Sequence, residues 1–457
     1  MNKNHILLLI ILTAISGCLN LISCRTDSDT MLRYALEQAG ANSSELKSVL
    51  EHYRTVDDDP EKLAAARYLI ENLPAHYSYA DNRIYQYYDY AARIFADGSL
   101  TPEQQRDSLL AVSDSLYREL PLHTVPDAQV ITAEYIISNI DKSYFQWKEC
   151  PWARQITFNE YLEWLMPYKA VEYQELDAWR DTLPAHFGRG LLHPVKNDVE
   201  YNTTMGVADM LRNEAQNSMH RYGLYTRSGL PLLSAYLLPR QTFGDIPDYA
   251  LVAVLLMRSA GVPAVIDETP VGARHEAAAR WYVIIADKGE EEASEWDLAT
   301  NIGWGFFPYE RGPKVYRNSL AINKERFEYS RKAKYRYPFD PGKQDVTDKY
   351  FLVSDIEIPI DKDIRKGLQD RYVYIASAVR DSIEPWRIVD FGRMHRCKAE
   401  FCNMGREVLY QAMGYDGDTL VPISAPFILH KDRSIEYISA DTLQSAYLDR
   451  WKNNALL

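Results

Sequence analysis

The stretch "IPDYALVAVLLMRSAGVPAVID", residues 246–267, constrains the fold more than any other part of the chain. From Ile246 to Ala260 nearly every position is apolar, so a helix formed here has no face to offer to water and belongs in a core. Gly261 and Pro263 follow at once and supply a left-handed cap and a stop. The β-branched run from Val262 to Ile266 then predicts a buried strand. At the other end Asp245 and Asp248 are spaced to cap the first free amides, which places the helix start near Ile246. The N-terminus of this helix is expected to open at a cleft beside a sheet.

The flanks differ from this centre and from each other. From Asp29 to about Leu183 the pattern is helical, with start signals such as "DDPEK", "LTPEQQ" and "TFNEYLEWLMPY", where Asp59, Thr101 and Thr157 are cap residues and Pro60 and Pro102 take the first helical position. The tyrosine-dense "IYQYYDYAARIF" in this region suits inter-helix packing or, alternatively, a sugar- or peptide-stacking surface. From Asp345 onward short runs such as "RYVYIASAV", "PWRIVDFG" and "EVLYQAMGY" are spaced by turn residues as in a β-sandwich. The chain is therefore expected to be α+β and multidomain: a signal at 1–24, an α-helical region at 25–190, an α+β core at 191–344 and a β-rich, sandwich-like C-terminal domain at 345–457. The basic and proline-containing "RKAKYRYPFDPGKQD" is expected to be an exposed linker, and the acidic "KGEEEASE" a solvated hairpin turn.

A net charge of -13 argues against phosphate-backbone binding, so nucleic acid is excluded as a partner. The first residues, "MNKNHILLLIILTAISGCLNLISC", have the layout of a secretory signal: one lysine, an apolar run, then small residues before a cysteine. Two lipoprotein cleavage boxes fit. "LISC" ending at Cys24 is favoured because the polar "RTDSDT" after it suits a tether, and "ISGC" ending at Cys18 is the alternative. A lipid anchor on a membrane of the cell envelope, periplasmic or surface-exposed, follows from either. Cys150, Cys397 and Cys402 are too few for a disulfide framework. Cys397, Cys402 and His395 are weak as a metal set, so buried thiols are expected and no metal or other cofactor is called for.

The sequence "GDIPDYALVAVLLMRSAGVPAVID" resembles the nucleophile helix of the transglutaminase-like superfamily. Gly244, Ala250, Arg258, Gly261, Val262 and Pro263 match its pattern, and Ile246 occupies the position of the catalytic cysteine. The wider chain is similar to lipoproteins of Bacteroidetes type that place such a core between a helical and a β-rich region. The resemblance implies a papain- or transglutaminase-like α+β core and a triad at Ile246, Ala279 and Asp297, with Ala279 standing for the histidine two residues before Trp281. Thiol acyl transfer needs a thiolate, a base and a group that orients the base. Neither isoleucine nor alanine supplies these. His275 is the nearest replacement base, but four residues of extended chain span about 13 Å, beyond hydrogen-bond reach. Asp245, Trp281 and His275 remain as cleft candidates. The expectation is a transglutaminase-like pseudoenzyme that binds a peptide, glycan or protein ligand. The alternative is an active hydrolase or acyl transferase with a relocated nucleophile or a carboxylate pair, for which Asp245, Asp248, Asp267 and Glu268 are the candidates.

Overall fold

The structure, a computed structural model, describes residues 29–117, 122–187, 203–218, 230–241, 246–271, 279–285, 291–294, 311–379 and 385–438. It is an α+β multidomain chain, helical at the N-terminus and β-rich at the C-terminus.

The helical part runs through α1 (29–38), α2 (Ser43–Glu51), α3 (Pro60–Asn72), α4 (Asn82–Ala96), α5 (Pro102–Tyr117), α6 (Ala133–Glu149) and a short α7 (Phe158–Glu160) that continues as a π-helical turn. The caps fall where the sequence places them. Asp59 accepts from the amides of Glu61 and Lys62, and Thr157 and Glu160 form a reciprocal capping box. Between them a small ladder of β1 (Tyr77–Tyr79) on β2 (Thr124–Pro126) breaks the all-helical pattern, joining segments too far apart in sequence for periodicity to pair them. The tyrosine-rich α4 packs by one side, with Tyr87 fully buried, while Tyr85 and Tyr90 are exposed.

α8 (Trp179–Phe187), α9 (Thr204–Ser218) and α10 (Ile246–Ser259) lead into the central sheet. This sheet has the antiparallel order β5 (Glu291–Ser294), β4 (Ala279–Ile285), β3 (Ala264–Thr269), β6 (Tyr316–Asn318), β7 (Lys343–Asp345). α10 has no solvated face because it is covered on two sides. Ala264, Ile266, Tyr282 and Ile284 of the sheet meet it from one side, and Trp179, Leu183, Val207 and Leu211 of α8 and α9 join the same apolar cluster. That cluster continues through Leu46, Leu69 and Ile140, so the N-terminal helices and the central sheet share one core. Side chains alternate along a strand, and the other face of the sheet carries Val265, Trp281, Val283 and Ile285. Gly261 ends α10 at φ 83, with the amide of Val262 donating to the carbonyl of Met257 at 2.9 Å.

Two expectations are corrected here. The acidic run is not a turn in the described residues: Glu291–Ser294 is the edge strand β5, paired to β4 with Glu291 opposite Ile285. Its charge is compatible with a strand because Glu291 is held by Arg317 and Lys349, and charge on an edge strand discourages further pairing. The stretch at 331–345 is not an exposed linker. After α11 (Lys324–Lys332) it lies against the C-terminal sheet, with Ala333 and Phe339 buried among Tyr329, Tyr372, Tyr374 and Phe391. Its aromatic residues outweigh its basic ones, and Asp370 accepts from the amides of Lys334 and Tyr335.

The C-terminal strands are β8 (Val353–Pro359), β9 (Tyr372–Ala378), β10 (Trp386–His395), β11 (Lys398–Gly405), β12 (Val408–Tyr415), β13 (Leu420–Pro422), β14 (Phe427–Leu429) and β15 (Ile435–Tyr437), with a short α12 (Lys362–Gly367) after β8. They form one curled antiparallel sheet in the order β15-β14-β12-β9-β10-β11-β8, with β13 on β12. β9 is buried along its whole length because Val373 and Ile375 face the concave apolar cluster while Tyr372 and Tyr374 face the aromatic one. Among the described residues no helix is long and apolar enough to cross a membrane.

Candidate functional site

The residues of the α10 motif have local structural work. Arg258 is buried and donates through Nε to the carbonyl of Ala264 at 2.8 Å and through Nη1 to that of Lys169 at 3.0 Å. Arg180 donates to Asn139 Oδ1 and to the carbonyls of Arg258, Leu165 and Met166. Burial lowers both guanidiniums, Arg258 to about 9 and Arg180 to about 10, so both stay charged at neutral pH. Together they tie the end of α10 to α8 and to the residues after α7. Gly261 is required where it stands, since an added Cβ would sit 3.3 Å from Cys150 Sγ and from Trp152 Nε1.

Of the residues singled out in sequence, Asp245, His275, Asp297, Cys18 and Cys24 lie outside the described residues, as does the side chain of Ile246, whose backbone opens α10. Ala279 is the first residue of β4, opposite Thr269. It belongs to the face of Trp281, which is the face that α10 does not cover. Trp281 is buried and donates through Nε1 to Tyr350 Oη at 3.0 Å, and Tyr350 donates to Asp267 Oδ2 at 2.6 Å. Asp267 is also gripped in a bidentate pair by Arg317, with both contacts at 2.8 Å. The same guanidinium grips Glu291 at 2.8 and 2.9 Å and lies over the Trp164 ring. Burial works against ionised Glu291, but the hydrogen bonds from Arg317 and Lys349 outweigh it and hold the carboxyl at about 2. Glu268, one residue from Asp267, points the other way and is paired with Arg280 and Lys343. The two carboxylates therefore do not converge. Asp248 is buried in α10, and no fourth member of that set is described.

A second polar centre joins the helical part to the central sheet. His76 Nδ1 is 2.5 Å from Glu172 Oε1 and Nε2 is 2.9 Å from the carbonyl of Leu320. A carboxylate and a carbonyl only accept, so both ring nitrogens donate and the ring is an imidazolium. Burial opposes that charge, and the adjacent Glu172 carboxylate overrides burial and raises the ring above its ordinary value. Lys169 pairs nearby with buried Asp127, which also accepts from Ser78 and Tyr168. The cavity between these groups measures about 20 Å³, room for one water and no more.

Two larger cavities lie in the helical part. One of about 530 Å³ is walled by α3 and α11. The other, about 390 Å³, lies between the starts of α6 and α8 and contains Asp177. Burial raises the Asp177 carboxyl to about 7. The described thiols are free, and Cys150 donates to Gln146 Oε1 while burial pushes it up to about 12, far from a thiolate at neutral pH. Among the described residues no group of three or more His, Cys, Asp or Glu side chains is placed to hold a metal.

Sequence reasoning named Asp267 and Glu268 but missed Arg317, Tyr350, Glu291 and Asp177. A lone arginine in the otherwise buried "KVYRN" was the signal available for Arg317; Asp177 in "ELDAW" had none. Compared with protein-family models, with curated proteins and with solved structures, the chain matches none of them.

Proposed function

We propose that the protein is a lipoprotein of the cell envelope, anchored through Cys24, whose transglutaminase-like core has given up acyl transfer and serves as the scaffold of a binding protein for a peptide, glycan or protein ligand. The observation that carries this reading is Ala279. It stands first on β4, where the family pattern has its histidine, and a methyl group neither takes nor gives a proton. Support comes from the polar groups around Trp281, which are committed to one another: Asp267 to Arg317 and Tyr350, Glu291 to Arg317 and Lys349. Cys150, in turn, is protonated at neutral pH. The anchor rests on the "LISC" box in the sequence.

Purified protein incubated with a glutamine peptide and a fluorescent amine is expected to form no conjugate above a blank without protein. Thiol-directed inhibitors are expected to leave its ligand binding unchanged. Turnover that disappears in Asp297→Ala or His275→Ala contradicts the reading and makes the protein a rewired enzyme. Mass spectrometry of membrane-extracted protein is expected to find a lipid-modified N-terminal cysteine, and an unmodified N-terminus would refute the anchor.

A further inference from the structure

In a chain of net charge -13, the stretch "KERFEYSRKAKYR", residues 324–336, runs the other way, with six basic residues against two acidic ones. Arg326 is buried and paired with Asp390, whereas Lys324, Arg331, Lys332, Lys334 and Arg336 are exposed. Exposed cations clustered on and beside a helix with an apolar side are a footprint for anionic lipid.

The cavity of about 530 Å³ lies beside these cations, and its size falls within the ~300–1,000 Å³ typical of small-ligand sites. Met31 of α1, Tyr68 of α3, Ile322 and Phe327 give it an apolar wall. None of the residues lining it is fully buried, so the wall can be reached from outside. The two carboxylates that line it are already held, Glu71 by Arg67 at 2.6 Å and Glu328 by Lys332 and Arg371 at 2.7 and 2.9 Å. Arg331 is the cation left over. It lies over the rings of Tyr34 and Phe327, and among the described residues no carboxylate pairs with it. A small soluble anion would answer the guanidinium and leave the wall wet, and an apolar ligand would do the reverse. An amphiphile with an anionic head answers both, because a guanidinium meets a phosphate through two N–H donors while an acyl chain covers the wall. Lys324 and Lys332 line the same space and disfavour a head that carries its own ammonium.

The place of the cavity in the chain fits the same partner. Asp29, paired with Arg67 of α3, lies five residues after Cys24, and Met31 follows two residues later. Five residues span at most about 18 Å, so an anchor at Cys24 keeps this face within that distance of the bilayer. We infer that the cavity between α1, α3 and α11 is a binding site for an anionic phospholipid of the membrane that carries the chain, with Arg331 holding the phosphate and Met31 and Phe327 lying against an acyl chain. The inference rests on the anchor proposed at Cys24 and adds which face of the protein meets the membrane.

The test is native mass spectrometry of the full chain in a non-ionic detergent, counting lipid retained on titration with phosphatidylglycerol and, separately, with phosphatidylcholine of the same acyl chains. One phosphatidylglycerol is expected to be retained at a concentration about tenfold lower than phosphatidylcholine requires. Arg331→Glu is expected to erase that preference. Arg93→Glu, which reverses a cation lying over Tyr90 on α4 and outside the cavity, is expected to keep it. Met31→Trp, which fills the cavity from α1, is expected to abolish retention of both lipids and keeps the test decisive if Arg331→Glu folds poorly. Equal retention of the two lipids, retention of neither, a preference that survives Arg331→Glu or Met31→Trp, or one lost equally in Arg93→Glu overturns the inference. Retention in detergent does not require the anchor, so an unmodified N-terminus refutes the anchor alone and a failed titration refutes the lipid site alone.

Discussion

Two aspartates, Asp267 buried in the central sheet and Asp177 half-buried ahead of α8, have opposite surroundings. Asp267 receives a bidentate guanidinium and a phenol, and every one of those donors is itself fixed by a further partner. Asp177 meets no charged or phenolic donor: Oδ2 accepts from the Ala235 amide, and burial raises the carboxyl to about 7. A carboxylate answered by a guanidinium and a phenol acts as a strut, whereas one answered by backbone amides alone feels its desolvation in full.

The largest effect expected from this contrast is at Arg317. Arg317→Met strands Asp267 and weakens Glu291, and breaking one side of a buried ion pair costs about 3–5 kcal/mol. Urea unfolding should show it as a large fall in midpoint, and a near-neutral result would mean that the network is not a strut. Gly261→Ala comes next, at about 1–3 kcal/mol, because it forces a side chain into positive φ against Cys150 and Trp152. If its midpoint matched that of the unaltered protein, the cap of α10 would not be under the constraint described.

The joint between the two regions has its own signature in pH. His76 is raised in the folded chain, so its contribution is fully present below its unfolded pKa and is lost as pH rises through the folded one. Glu172 is lowered to about 2, so its contribution is present above its unfolded value and is lost as pH falls toward 2. Stability measured from pH 4 to 9 should therefore decline on the alkaline side, and His76→Gln should flatten that limb. An unchanged limb in the variant would assign the decline to other groups. The smallest effect is expected at Asp177: at pH 4, where its raised carboxyl is protonated in the fold, Asp177→Ala should shift stability by no more than about 1 kcal/mol. A loss as large as that of Arg317→Met would make Asp177 a strut as well.

The fold was largely legible in the sequence wherever a local pattern decides it. The apolar run of α10, its stop at Gly261, the caps at Asp59 and Thr157, and the strands from β8 to β12 are all set by neighbours within a few residues. What escaped depends on partners far along the chain. Arg317 lies 50 residues from Asp267, and Tyr350 lies 83 residues from it. Acidic residues at 291–294 resemble a solvated turn until Arg317 and Lys349 stand beside them. The aromatic side of 333–339 shows only against Tyr372 and Phe391. Asp177 looks like an ordinary residue ahead of a helix, and only the Ala235 segment folded over it reveals why its carboxyl is raised.

Carboxyl carbon NMR of protein labelled at aspartate, followed as a function of pH, tests the contrast between Asp177 and Asp267 most directly. The resonance missing from Asp177→Asn should titrate with a midpoint of about 7, because desolvation outweighs the backbone amides beside it. A midpoint in the ordinary aspartate range near ~4 would mean that the carboxyl is well solvated or well bonded, and the contrast with Asp267 would be gone.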